Sequence, residues 1–181
     1  MDGLLVVNEA KYIEVLEYLL GEESGANNLF LGKVKLMKLL YFADFDHYFN
    51  HGTSITEDTY VKLDFGPVPQ NADRILEKMA REKQLTVEKV PNAVGYRNEY
   101  TLCESRSSGT SLSPAERETL AAVVTRWRNS TTADIVAASH GDPPWRMVKY
   151  GEVIPYHLVY YRKHSAPRYD EEPPIQSMRL L

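Results

Sequence analysis

The chain has a single cysteine, Cys103, among 181 residues, so neither an intramolecular disulfide nor a cysteine-rich zinc site can form. Such usage fits a reducing compartment. Long hydrophobic runs are missing too. The oiliest stretch, Leu36-Met37-Lys38-Leu39-Leu40-Tyr41-Phe42-Ala43, is broken by a lysine and falls far short of the ~20 residues that span a bilayer. The opening residues, Met1 to Glu9, carry no basic flank, so no signal peptide is read there. A cytoplasmic protein with no membrane partner is expected. An excess of positive charge is also absent. Lys and Arg number 21 against 25 Asp and Glu, a formal net charge of −4, which argues against a broadly basic nucleic-acid surface.

What is there is an ordinary globular mixture, 43% hydrophobic and 25% charged, in the range of folded domains. One domain is expected over residues 1–163, followed by a Pro/Arg/Glu/Ser-rich flexible tail over 164–181. Apolar spacing predicts a helix over Glu9 to Leu20 with Asn8 as its cap, then a loop from Gly21 to Asn28. A second helix, Gly32 to Phe49, is apolar over more than half its circumference, which marks a central helix covered on two sides. Asp58 to Asp64 reads as a short strand, and Phe65-Gly66-Pro67-Val68-Pro69 as a rigid corner in which Gly66 takes a conformation closed to other residues. Pro69 is placed to open a third helix, Gln70 to Glu82, with Ala72, Ile75, Leu76 and Met79 inward.

Leu85 to Val90 and Glu99 to Cys103 read as strands joined by a long loop, Pro91 to Asn98. Ser113, Pro114 and Glu116 form the clearest helix start in the chain, a capping box with proline in the first helical position. That helix continues to about Arg128. A shorter one, Thr132 to Ser139, has Ser130 as its expected cap and stops at His140-Gly141-Asp142-Pro143-Pro144. Together these predict an α+β fold, a predominantly helical single domain of about five or six helices with a small antiparallel sheet or hairpin.

Chemistry is harder to find. Asp44, His47 and His51 have the residue types of a two-nitrogen, one-oxygen metal site, the basis of a metal-assisted enzyme reading. His51 abuts Gly52 beyond the expected helix end, however, and no His-Glu-x-x-His motif supplies a general base. Cys103 has no histidine beside it and reads as a buried or half-buried small hydrophobe. No Gly-x-Ser-x-Gly elbow, P-loop or dinucleotide fingerprint occurs. No catalytic residue, metal or cofactor is assigned, and a non-enzyme is expected.

Two binding readings remain. The order of helices followed by a hairpin is that of winged-helix DNA readers, and the third helix sets Arg74, Lys78 and Arg81 four and three apart. Interleaved Asp73, Glu77 and Glu82 make a salt-bridged solvent face an equal explanation. A DNA-binding transcriptional regulator is therefore the alternative. The other signal is aromatic: twelve tyrosines and two tryptophans exceed what a core of this size hides, and tyrosine suits protein interfaces. Tyr41, Tyr48, Tyr96, Tyr150, Tyr156 and Tyr160 are the partner-binding candidates.

A combination of motifs then sharpens the second reading. Lys35-Leu36-Met37-Lys38-Leu39-Leu40-Tyr41-Phe42-Ala43-Asp44-Phe45 is followed by Gly52, Ile55-Thr56, Tyr60 and Phe65-Gly66-Pro67-Val68-Pro69. Leu112-Ser113-Pro114-Ala115-Glu116 comes later, and His140 with Trp145 closes the set. Over residues 10–150 the chain resembles the Panacea domain, the SocA-like family of bacterial and phage-associated antitoxins. The positions that match are Lys35, Asp44, Tyr60, Gly66, Pro67, Pro69, Ser113, Glu116, His140 and Trp145. The resemblance implies a protein that neutralises a cognate toxin encoded beside it by direct contact, with some members handing the toxin to a bacterial protease. It implies no catalytic residue and leaves a homo-oligomer open. His140 is expected to cap or hydrogen-bond at a helix carboxyl end, where a cation is favoured, and Trp145 to lock the last helix onto the body.

Overall fold

In the computed structural model, residues 7–27, 31–92, 95–103 and 111–162 are described. Helix α1 (Glu9–Asn27) starts as expected, with the Asn8 side chain accepting the Lys11 N–H at 3.1 Å. It then runs through the segment read as a loop. Tyr12, Val15, Leu16, Leu19 and Leu20 are fully buried, and this packing carries the helix into a stretch whose Gly and Ser content argues locally against it.

Strand β1 (Leu31–Gly32) leads into α2 (Lys33–His51), which is buried continuously from Lys35 to His47. The central-helix reading holds. Gly52 stops α2 in the left-handed region at φ 76°, its N–H returning to the Tyr48 carbonyl at 2.9 Å, as an αL cap requires.

A tight hairpin follows, β2 (Tyr60–Leu63) with β3 (Gly66–Pro69), paired from Tyr60 opposite Pro69 to Leu63 opposite Gly66. The corner is thus a strand, and Pro69 lies in it rather than opening a helix. Helix α3 (Ala72–Arg81) begins after Asn71 and buries the four residues expected, Ala72, Ile75, Leu76 and Met79.

Strands β4 (Leu85–Asn92) and β5 (Gly95–Leu102) pair along their whole length, ending with Asn92 opposite Gly95. The long loop read over Pro91 to Asn98 is therefore mostly strand. Pro91 is tolerated because β4 is an edge of the β1-β5-β4 sheet, and its place in the hairpin register turns the missing N–H outward.

Helix α4 (Pro114–Trp127) has the full Ser113–Glu116 capping box. Helix α5 (Thr132–Gly141) has one as well, built on Thr131 and Asp134 and not on Ser130. Helix α6 (Pro143–Arg146) and a 3-10 turn over Tyr156–Tyr161 complete the α+β, mainly helical fold. Between them Val153 bridges to Val61, and the Lys62 N–H and Ile154 N–H bond to Glu152 and Tyr60 carbonyls. A short third strand-like segment therefore flanks β2. One core gathers Tyr12, Leu16, Leu39, Leu40, Phe45, Tyr60, Ile75, Leu120, Ile135 and Val159. The expected tail, 164–181, lies outside the described residues.

Candidate functional site

Asp44, Tyr60, Gly66 and Pro67, among the sequence-matched positions, sit in a polar framework inside the molecule. Asp44 projects from α2 with no exposure into the loop between α2 and β2. Its Oδ1 accepts the N–H groups of Ile55 at 2.9 Å and Thr56 at 2.8 Å, and Oδ2 accepts the hydroxyls of Tyr60 at 2.7 Å and of Thr56. Burial pushes its pKa up to about 6, while the Thr56 and Tyr60 bonds pull the other way. A second carboxylate, Asp58, does the same one loop turn later. It accepts from Tyr12 Oη at 2.9 Å, Thr59 N at 2.7 Å and Asn71 Nδ2 at 2.8 Å. Glu57 between them is held at φ 57°, a strained region for a side-chain-bearing residue. Tyr156 reaches in from the 3-10 turn and donates to the Asp58 carbonyl at 2.7 Å. These carboxylates anchor a loop; their oxygens are already filled.

The Gly-Pro-Val-Pro strand sits on a buried cation. Lys38 donates from Nζ to the Pro67 carbonyl at 2.6 Å, and burial drives its pKa down to about 7. Gly66 is at φ +97°, and a Cβ there would meet Ser139 Oγ at 2.6 Å and Lys38 Cε at 2.9 Å. The close approach of three elements, α2, β3 and α5, is what the glycine allows.

Nearby, His140 stacks on Trp145 with ring centroids 4.3 Å apart, and the Lys62 ammonium lies 3.9 Å over the Trp145 ring. His140 is not the helix-end cation expected: burial first, then Lys38 and Lys62, push its pKa down. Trp145 does fasten α6, through that stack.

A third knot ties the chain's last described turn. Arg162 donates from Nε to Asp142 Oδ1 at 2.8 Å and from one amino group to Asp142 Oδ2, while the other reaches Asp46 at 2.7 Å. Tyr41 Oη donates to Asp142 at 2.8 Å. Tyr41 is accordingly buried and is withdrawn as a partner-binding candidate. Tyr48 and Tyr156 are half-buried and stack on each other at 5.3 Å, which makes them core edge more than free surface. Tyr96, Tyr150 and Tyr160 are exposed. Lys35 is buried in α2 and lines a groove of about 440 Å³ with Tyr96 and Arg97. Cys103 is exposed, contrary to the buried hydrophobe expected, because β5 ends one residue before it.

The enzyme and DNA readings meet specific geometry. Asp44 faces the Ile55–Tyr60 loop, whereas His47 Nδ1 shares a 2.9 Å hydrogen bond with Thr119 Oγ1, so Asp44, His47 and His51 do not converge on one point. Among the described residues no group of three or more His, Cys, Asp or Glu could hold a metal ion. The order α1-β1-α2-α3-β4-β5 with sheet order β1-β5-β4 keeps the winged-helix-like sequence of elements, with the β2–β3 hairpin inserted before α3. Yet Arg74 and Lys78 both bind Glu9 on α1. They hold Glu9 down at a pKa of about 2, so two of the three basic side chains fasten helices together.

Asp58, Lys38, Asp142 and Arg162 were not legible as a framework in the sequence. Their partners lie far along the chain, as in the 101-residue separation of Tyr41 and Asp142, and no local motif signals them.

Comparison with known proteins gives one family. The model of the family described as "Antitoxin SocA-like, Panacea domain" matches residues 36–146, the span that contains Asp44, the β2–β3 hairpin, the capped α4 and the His140–Trp145 stack. No curated protein and no solved structure matches the chain. No helix among the described residues is long and apolar enough to cross a membrane.

Proposed function

The chain belongs to the SocA-like Panacea antitoxin family, and from that premise we propose that it neutralises a cognate protein toxin by direct protein–protein contact. The observation that carries the reading is where the ionisable groups of the matched segment are used. Asp44, Lys38 and Glu116 are buried and bonded to loop, strand and cap, and Asp58 and Asp142 are bonded in the same way. A scaffold built this way works by presenting a surface, with function grafted on its exterior. Large aromatic side chains stand on that exterior: Phe65, Tyr96 and Tyr150 are each more than 60% exposed, at 69%, 73% and 64%. Such side chains are the usual anchors of interfaces.

The test is co-expression with the product of the adjacent gene. Growth arrest caused by that product alone and relieved by this chain is the expected result. Arrest that persists while both proteins are shown to be present would overturn the reading.

A DNA-binding regulator is the second reading, favoured by the winged-helix-like order of elements. It requires the Glu9 pairs with Arg74 and Lys78 to open toward phosphate, with an affinity that falls log-linearly with salt. A gel shift on the chain's own promoter without a salt-sensitive complex would remove it.

A further inference from the structure

The β2–β3 hairpin has an unusual outward face. Side chains alternate across a strand, so Tyr60, Pro67 and Pro69 point inward and are buried while Val61, Leu63 and Val68 share the opposite face. Val61 pairs with Val68 on one side and with Val153 on the other. The outward side of this small sheet is thus a row of aliphatic residues, Val61, Leu63 and Val68 half-buried and Val153 52% exposed. At one end the Gly151 N–H bonds the Lys62 carbonyl at 2.9 Å, which brings the Tyr150 turn alongside the Asp64-Phe65 hairpin tip. Antiparallel sheets with one solvated face usually alternate apolar-in and polar-out. Here the outward face is apolar, while the inward face carries Lys62 beside Tyr60, Pro67 and Pro69.

We infer that the outer face of the β2–β3 hairpin, from Val61, Val68 and Val153 to Phe65 and Tyr150, is the surface on which the toxin docks; this rests on the neutralisation reading above. Strand addition is not the mode. Pro67 and Pro69 leave the outer edge of β3 without an N–H at those positions, and the Pro67 carbonyl is taken by Lys38. The partner therefore packs face-on.

A second copy of this chain fits the face less well. Phe65, Tyr150 and Val153 together present roughly 350 Å², so two copies face to face would cover roughly 700 Å², the size of a packing contact rather than a stable dimer. Charge points the same way. Exposed Asp64 and Glu152 flank the patch, with Lys149 beside them, and symmetric pairing would set the acidic rims against each other. The occupant these features suit is a different protein with an apolar centre and a basic rim, reaching beyond the patch to a full interface.

The experiment is a binding titration of the purified full chain against the product of the adjacent gene, with Phe65→Ser and Tyr150→Ser combined and Val87→Ser, at an exposed position of β4, as the control on the other sheet. The expected result is a loss of roughly thirtyfold or more in affinity for the doublet, the signature of a central anchor. The affinity of Val87→Ser and the melting temperature of the doublet should be unchanged. If the doublet melts early, Tyr150→Ser alone carries the test. Wild-type affinity in the doublet overturns the inference while leaving neutralisation standing. So does a wild-type dimer in sedimentation that the doublet dissociates, since the face would then belong to a second copy. A wild-type chain that never binds the gene product removes the neutralisation reading itself, and this surface with it.

Discussion

Lys38 Nζ lies 2.6 Å from the Pro67 carbonyl oxygen, deep between α2 and the hairpin. The carbonyl belongs to a strand edge with proline neighbours, so a side chain must satisfy it, and only a long donor from α2 does. An ammonium there is costly because burial disfavours its charge. With the folded pKa near 7 against an ordinary 10.5, the unfolded chain binds more protons between those values. Stability should therefore rise as pH climbs from about 7 toward 10.5, by up to about 1.4 kcal/mol per pH unit. Lys38→Met should flatten that rise while keeping most of the packing. Denaturant titrations of both proteins at pH 7, 8.5 and 10 check it; parallel pH profiles would refute the assignment.

Asp44 should leave the opposite trace. Its folded pKa is about 6 against 3.8, so the folded state holds the extra proton between those values and stability falls as pH rises through that window. Asp44→Asn should remove this fall. Asp44→Ala should cost about 3 kcal/mol or more, because two backbone N–H groups and two hydroxyls lose their acceptor in the interior. Thermal melts from pH 4 to 8 distinguish the two substitutions. The windows for Asp44 and Lys38 barely overlap, so each variant flattens its own limb of one curve.

Gly66 and Gly52 both have positive φ, at +97° and +76°, but only Gly66 is crowded. Gly52→Ala should cost about 1 kcal/mol, the left-handed penalty alone. Gly66→Ala adds a collision with Ser139 and Lys38, and should cost about 3 kcal/mol as α5 or the Lys38 bond shifts. Equal losses in urea unfolding would mean the close approach does not matter.

Local signals in the sequence transferred well to the structure and distant ones did not. Ser113 and Glu116 announce α4 because a capping box is written within four residues. Gly66 announces its backbone conformation because prolines surround it. The extension of α1 to Asn27 and of β4 to Asn92 was hidden, since packing and cross-strand pairing decide both against local composition. Tyr41 illustrates the limit of reading surface from residue type: a tyrosine on an apolar helix becomes core when a carboxylate such as Asp142, from the junction of α5 and α6, receives its hydroxyl. The outer hairpin face was missed for a related reason. Val61, Leu63 and Val68 look like half of an ordinary buried strand until Tyr60, Pro67 and Pro69 are seen to occupy the inward side.

Arg162 closes the framework at its far end, with one guanidinium holding Asp142 in two contacts and Asp46 in a third. The planar fork suits this geometry and a lysine does not. Arg162→Ala removes the guanidinium shared by two largely buried carboxylates, leaving Asp142 with Tyr41 and Asp46 with Arg126, and should destabilise by about 2 kcal/mol. Arg162→Lys should recover less than half of that, since it restores charge but not the paired contacts. Because Arg162 pins the Tyr156–Tyr161 turn and not the β2–β3 hairpin, toxin neutralisation by Arg162→Ala should survive at a temperature where the variant remains folded. A variant that keeps its fold in circular dichroism yet loses neutralisation would shift the docking surface from the hairpin face to the Tyr160 side of the molecule.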